Sequence, residues 1–234
     1  MAPTDRKVAL VTGGHQGIGL ETCRQLAHQG MQVILTSQET RQGQAAGDLL
    51  RAEKLLVFFW PLDVRDIAQI RETRKYVESE FRRLDVLVNA AEMRPEAGEP
   101  LDALTDQLFH DVLGVNFTGP CCLAKAFVPL MQQHSYGRVV HLSPGAAALK
   151  RLAADEYAFA LSKIALNAFT PLLAGKLDGR YLKINTAARR ASYPEGAGKS
   201  PGPGVNKALE TILWLATLPE SGPTGGLFYH RRPA

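Results

Sequence analysis

The chain has 234 residues, enough to bury the core of one domain, and its formal net charge of +4 is too small to give the basic footprint of a nucleic-acid-binding protein. Its three cysteines, Cys23, Cys121 and Cys122, are odd in number and show no metal-ligand or redox spacing, which argues against a disulfide scaffold or a thiolate metal centre. No apolar run reaches the roughly 20 residues of a membrane span and no leader precedes the first apolar segment, so the sequence predicts a cytoplasmic chain without membrane contact.

The chain opens with an apolar run over 7–12, a glycine-spaced turn and an amphipathic stretch over 17–29. Further strand patterns fall near 31–37, 55–61, 85–89, 137–142, 181–186 and 226–229, and helical patterns near 39–54, 65–82, 101–134, 155–177 and 204–218. Such alternation predicts a parallel sheet with helices on both faces and ligands beyond the carboxyl ends of its strands. Length alone would allow two small domains, but no linker-like run divides the chain, and one domain over 1–234 is expected. The arginine pairs at 82–83, 189–190 and 231–232 are scattered and read as solvated surface.

In the first turn, Gly13, Gly17 and Gly19 enclose His15, Gln16 and Ile18. Glycine permits a sharp turn and a close approach of pyrophosphate to a helix N-terminus, where unpaired N–H groups favour negative charge. Glycines also punctuate turns that bind nothing, so this turn counts through its context. That context is Leu62-Asp63-Val64 after the third strand, Asp85 to Ala91 at the fourth, Val115-Asn116-Phe117-Thr118-Gly119 in the next helix, and Gly137 to Ser143 at the fifth.

Taken in this order and at these intervals, the segments resemble the short-chain dehydrogenase/reductase family over nearly the whole chain, and 30–37 with 222–228 resemble its carbonyl-reductase branch. The resemblance implies an α/β, single-domain Rossmann-like fold, a doubly wound parallel sheet with helices on both faces. It also implies a small-molecule substrate; the family often forms a homodimer or homotetramer through the helices near 101–134 and 155–177, whereas the carbonyl-reductase branch includes monomers. Cofactor contacts are expected from Gly13, His15, Gln16, Gly17, Ile18, Gly19, Gln38, Asp63, Val64, Asn89, Ala90 and Lys163. Asp63 has a second reading as the cap of the following helix.

Family members protonate the substrate oxygen with a tyrosine tuned by a lysine four residues later, assisted by a serine and an asparagine. Here Asn116 and Lys163 match the asparagine and the lysine, but Phe159 falls on the tyrosine and Pro144 on the serine, leaving Ser143 one place early. Tyr157 could replace the phenol only if the chain there is still a loop or is bulged. The candidate catalytic set is therefore Asn116, Ser143, Tyr157 and Lys163. His141 and Ser143 share one strand face and could pair near the cleft, and Asp155 or Glu156 could do acid–base work or serve as helix-dipole partners.

Three departures touch the cofactor. Glu92 stands where the family places glycine after Asn89-Ala90-Ala91, with a charge that suits the site only if it points to solvent. Arg189-Arg190 replaces a Pro-Gly pair, and Gln16 and Gln38 replace the cations of NADPH-preferring relatives. No carboxylate at Ser37 marks NAD, and Arg41 or His15 could contact a ribose phosphate. NADP(H) is the expected cofactor, with NAD(H) or none as alternatives. The Gly/Pro-rich run from Pro194 to Gly204 stands in place of a substrate lid.

Two functions of different class follow. One is NADP(H)-dependent reduction of a carbonyl or quinone, its proton coming from Tyr157, Ser143 or solvent. The other is a non-redox descendant, either a cyclase or isomerase using the old cleft or a binding protein without catalysis.

Overall fold

The structure, a computed structural model, describes residues 6–95, 104–145, 149, 156–177, 179–189 and 203–234. Expectations for Asp155, Arg190 and residues 194–202 fall outside them.

Strands and helices alternate through most of the chain: β1 (Val8–Thr12), α1 (Gly17–His28), β2 (Gln32–Ser37), α2 (Thr40–Ala52), β3 (Val57–Pro61), α3 (Ile67–Glu80) and β4 (Val86–Asn89). There follow α4 (Asp106–Leu113), a π-helical turn (Gly114–Thr118), α5 (Gly119–Gln133), β5 (Gly137–Pro144), α6 (Tyr157–Ala174), β6 (Leu182–Arg189), α7 (Pro203–Ala216), β7 (Leu227–Tyr229) and β8 (Arg232–Pro233). The strand order is β3-β2-β1-β4-β5-β6-β7-β8, parallel throughout except for the terminal β7–β8 pair. Order reverses between β1 and β4, which opens a crevice at their carboxyl ends.

The central strands are apolar on both faces because helices cover both. Along β1, Ala9 and Val11 point into a core shared with α1, α2 and α7, while Val8 and Leu10 point into one shared with α3, α5 and α6. Cys23 lies in the first of these cores and is a buried thiol; all three cysteines are free.

Every expected strand and helix is present, and three features differ from the sequence pattern. The 101–134 helix is interrupted by the π-helical turn at Gly114–Thr118, a widening of the helix that recurs at functional sites. The chain adds the short antiparallel β8. By length and mean hydropathy alone, Asp106–Gln133 and Tyr157–Ala174 are each sufficient to cross a membrane, contrary to the reading from sequence; both lie against the sheet as core helices.

Candidate active site at the carboxyl edge of the sheet

The glycine turn after β1 is built by backbone constraints. Gly13 and Gly17 have φ of +63° and +56°, a region costly for other residues. A side chain on Gly13 would come within 2.8 Å of Ala91 Cα, and one on Gly19 within 2.3 Å of the Gly13 carbonyl oxygen. Thr12 secures the neighbouring strand by accepting hydrogen bonds from the Ala90 and Ala91 N–H groups, both at 3.0 Å. At the start of α1, Gln16 is the N-cap but its side chain makes no capping bond, and no acid occupies the first turn. The result is an uncapped helix N-terminus beside a tight glycine turn, which fits the diphosphate of a dinucleotide.

His15 and Ser37 meet at the end of β2, Nδ1 to Oγ at 2.9 Å, and Ser37 Oγ also accepts from the Glu39 N–H at 3.0 Å. Burial holds the His15 pKa below its ordinary value despite the opposing charge of Glu39. Gln38 and Arg41 are exposed beside them. After β3, Val64 closes on α5: a side chain on Gly119 would lie 2.8 Å from the Val64 carbonyl oxygen.

Asp63 does not cap α3. Asp66 does so, accepting from the N–H groups of Ala68 at 2.8 Å and Gln69 at 3.3 Å. Asp63 instead binds the Arg65 guanidinium at 2.7 Å and accepts from the Arg65 N–H at 2.9 Å; Arg65 continues to Asp111 of α4 at 2.6 Å. Hydrogen bonding from Arg65 holds the Asp63 carboxyl below the usual carboxylate range.

On the other side of the crevice, Asn116 projects from the π-helical turn. Its Oδ1 accepts from the Met93 N–H at 2.9 Å, and its Nδ2 donates to the Met93 carbonyl at 2.7 Å and to Ser162 Oγ at 3.1 Å. Asn116 therefore clamps the β4–α4 segment to α6. Ser162 completes the link by donating to the Phe159 carbonyl at 2.7 Å.

Lys163 is 1% exposed, and its Nζ donates to the Leu142 carbonyl at 3.1 Å. Glu92 Oε2 lies 2.9 Å from the same nitrogen, so the carboxylate at the former glycine position turns inward to the lysine and not to solvent. Phe159 is sealed with Val112 and Ala158 against Met93, Leu104, Leu108 and Phe109. Its ring centroid is 5.2 Å from the Arg94 guanidinium and 5.6 Å from Lys163 Nζ. Arg94 is fixed by Glu156 at 2.7 Å, so Glu156 serves as an ion-pair partner.

Of the two candidate substitutes for the phenol, Tyr157 opens α6, and Ser143 follows Leu142 near the end of β5. Tyr157 is already helical, which rules out the loop or bulge that its role required. Six residues before Lys163, it lies a third of a turn away around the helix, and it is 41% exposed. Ser143 is buried and donates to the Pro144 carbonyl at 3.2 Å. His141 does not pair with Ser143 either: its Nδ1 lies 3.0 Å from Asn89 Nδ2, and its ring meets Phe169 at a 6.0 Å centroid distance. Burial, and then the charge of Lys163, push the His141 pKa down to about 3.

Sequence reasoning missed the Glu92–Lys163 pair, although a carboxylate in place of glycine was its visible sign. It also missed Arg83, which binds the fully buried Asp85 at 2.7 Å and is structural, not loose surface charge.

This arrangement of an uncapped glycine turn at the β1–β4 switch point, with a buried lysine and asparagine opposite, defines a dinucleotide-fold protein of the doubly wound class. The sequence profile of the short chain dehydrogenase family matches residues 7–190, and the chain belongs to that family. It is 26% identical to a (+)-neomenthol dehydrogenase of Capsicum annuum over 97% of each chain. It is 33% identical to a (+)-neomenthol dehydrogenase of Arabidopsis thaliana over 65% of this chain, a match spanning 58% of that enzyme. Human carbonyl reductase 3 (NADPH) is 37% identical over 58% of this chain and 48% of its own length. Among solved structures, a metagenomic short-chain oxidoreductase in complex with NADP superposes with a TM-score of 0.82 at 25% identity, covering 97% of both chains. An actinorhodin polyketide ketoreductase variant with NADPH superposes with a TM-score of 0.84 at 23% identity, a likeness of fold.

Proposed function

We propose that this chain is an NADP(H)-dependent oxidoreductase that reduces a quinone-type carbonyl acceptor without a protein phenol. The observation that carries the reading is the tight glycine turn at an uncapped helix N-terminus, taken with the buried Phe159 that the resemblance aligns with the family's tyrosine. Gly13, Gly17 and Gly19 would hold the diphosphate, His15, Ser37, Gln38 and Arg41 the adenosine ribose, and Asn89, Ala90 and Lys163 the nicotinamide half. When bound, the reduced nicotinamide supplies hydride.

The chain's own residues orient the acceptor and exclude water on the Phe159 side, while Asn116 fixes the wall formed by Met93. The helical placement of Tyr157 and the hydrogen bond of buried Ser143 to the Pro144 carbonyl favour solvent as the proton source. A reduced quinone oxygen is much less basic than an alkoxide and tolerates this; a simple ketone does not. Hydride plus one solvent proton balances the two-electron reduction of the quinone to its hydroquinone, whose phenolate oxygen takes the proton.

The exposed Leu161, Ile164 and Leu172 of α6 support association of this enzyme into a homodimer or homotetramer. A non-redox use of the cleft is the second reading, favoured by the Glu92–Lys163 ion pair, which gives the lysine a partner other than a phenol.

The deciding experiment follows NADPH and NADH consumption with menadione and with cyclohexanone. Consumption with the quinone, at least about 10²-fold faster than with the ketone, is the expected outcome. Binding of cofactor without consumption by either acceptor would favour the non-redox reading.

A further inference from the structure

Glu92 stands just beyond the end of β4, on the carboxyl edge where doubly wound sheets bind their ligands. The residue before it, Ala91, is pressed against the glycine turn, within 2.8 Å of where a Gly13 side chain would begin. From that position the carboxylate crosses to α6 and lies 2.9 Å from Lys163 Nζ. The lysine side chain is 1% exposed and the glutamate 20%, so the carboxylate forms the outer layer of the pair. Arg94, which follows Met93 on the same segment, has its guanidinium stabilised mainly by Glu156 and additionally by the charge of Glu92.

An ammonium binds a carboxylate more strongly than it binds a neutral hydroxyl, because both partners are charged. A ribose diol arriving at Lys163 must therefore compete with an acceptor already in place. A diphosphate at the glycine turn would also feel the negative charge, but that effect acts over distance and does not depend on contact with the lysine.

On the dinucleotide reading above, we infer that Glu92 is an internal ligand of Lys163, which the nicotinamide-side ribose displaces on binding. Glu92 is a specificity-determining residue in this sense: it weakens ligands that reach Lys163 and leaves those confined to the adenosine half unaffected. A neutral residue or glycine in its place would remove this charged competitor of the diol.

The test is a calorimetric titration of the wild type, Glu92→Gln and Glu92→Gly with two ligands, NADPH and adenosine 2′,5′-bisphosphate, which lacks the nicotinamide ribose. Thermal melts establish that each variant is folded, and the glycine variant serves if the glutamine variant is not. The expected result is NADPH binding tighter by roughly tenfold or more in the variants, with the bisphosphate changed by less than about twofold. In a Lys163→Met background the Glu92→Gln gain should vanish. Unchanged or weaker NADPH binding would overturn the inference, as would an equal gain for both ligands, which would indicate distant charge repulsion. If neither ligand binds any folded form, the dinucleotide reading itself fails, an outcome distinct from the failure of the Glu92 assignment alone.

Discussion

On the proposed reading, Phe159 occupies the position where an acid would be most useful, and its ring packs with Val112 and Ala158. The ring packs against apolar side chains, with the Arg94 guanidinium and Lys163 Nζ over it at 5.2 and 5.6 Å from its centroid. Replacing it with tyrosine and Pro144 with serine should restore a donor worth about 10²–10⁴ in rate. Ketone-dependent NADPH oxidation by Phe159→Tyr/Pro144→Ser is expected to rise by at least about 10²-fold over the parent. An unchanged rate would place the defect at the cofactor-side lysine, where Glu92 is bound.

His141 offers a second test at this scale. Its native pKa is pushed down to about 3, whereas the unfolded chain takes up the proton below about 6.5. Its contribution to stability is therefore complete above about pH 6.5 and falls as pH drops towards 3. Between pH 7 and 5 this one group should lower the unfolding free energy by about 2 kcal/mol. Urea unfolding of His141→Asn should show a loss smaller by that amount over the same interval. Parallel losses in the two proteins would show that the ring is protonated in the native state.

At the scale of elements, the junction between β1 and α1 carries the binding hypothesis. Gly19 sits where a methyl group would be 2.3 Å from the Gly13 carbonyl, a backbone contact that cannot yield by rotating a side chain. Gly19→Ala should force helix and turn apart, weaken NADPH binding by at least about tenfold and lower stability by about 1–3 kcal/mol. Retention of wild-type affinity would show that the turn is not the phosphate site.

These elements also show what the chain pattern made readable. Buried strands such as β1 and β4 declare themselves as apolar runs, and the glycine spacing marks the turn. The start of α6 was the decisive uncertainty, because Tyr157 could reach the lysine only from a loop. Local sequence does not fix a helix boundary to one residue; packing of Ala158 and Phe159 against α4 brings Tyr157 into the helix. The cap of α3 went to Asp66 and not to Asp63 for a related reason, since Arg65 draws the earlier carboxylate away.

For the whole molecule, the unpaired apolar stripe on α6 is the feature with the widest consequence. Leu161, Ile164 and Leu172 are 49%, 52% and 68% exposed and lie on one side of the helix. Sedimentation should report a dimer or tetramer, and Leu161→Asp/Leu172→Asp should dissociate it with little loss of secondary structure. A wild-type monomer would assign the stripe another role.

Residue identity and spacing along the chain were enough to set the family and the alternating architecture. Tertiary structure decided where the charges went. Glu92 and Lys163 are 71 residues apart and meet only when β4 and α6 come to the same edge of the sheet. Asn89 meets His141 only through the β4–β5 register, and Asn116 meets Met93 only through the path of the chain after β4. Ion pairing and hydrogen bonding act over a few ångströms in space, and no periodicity along a sequence encodes them.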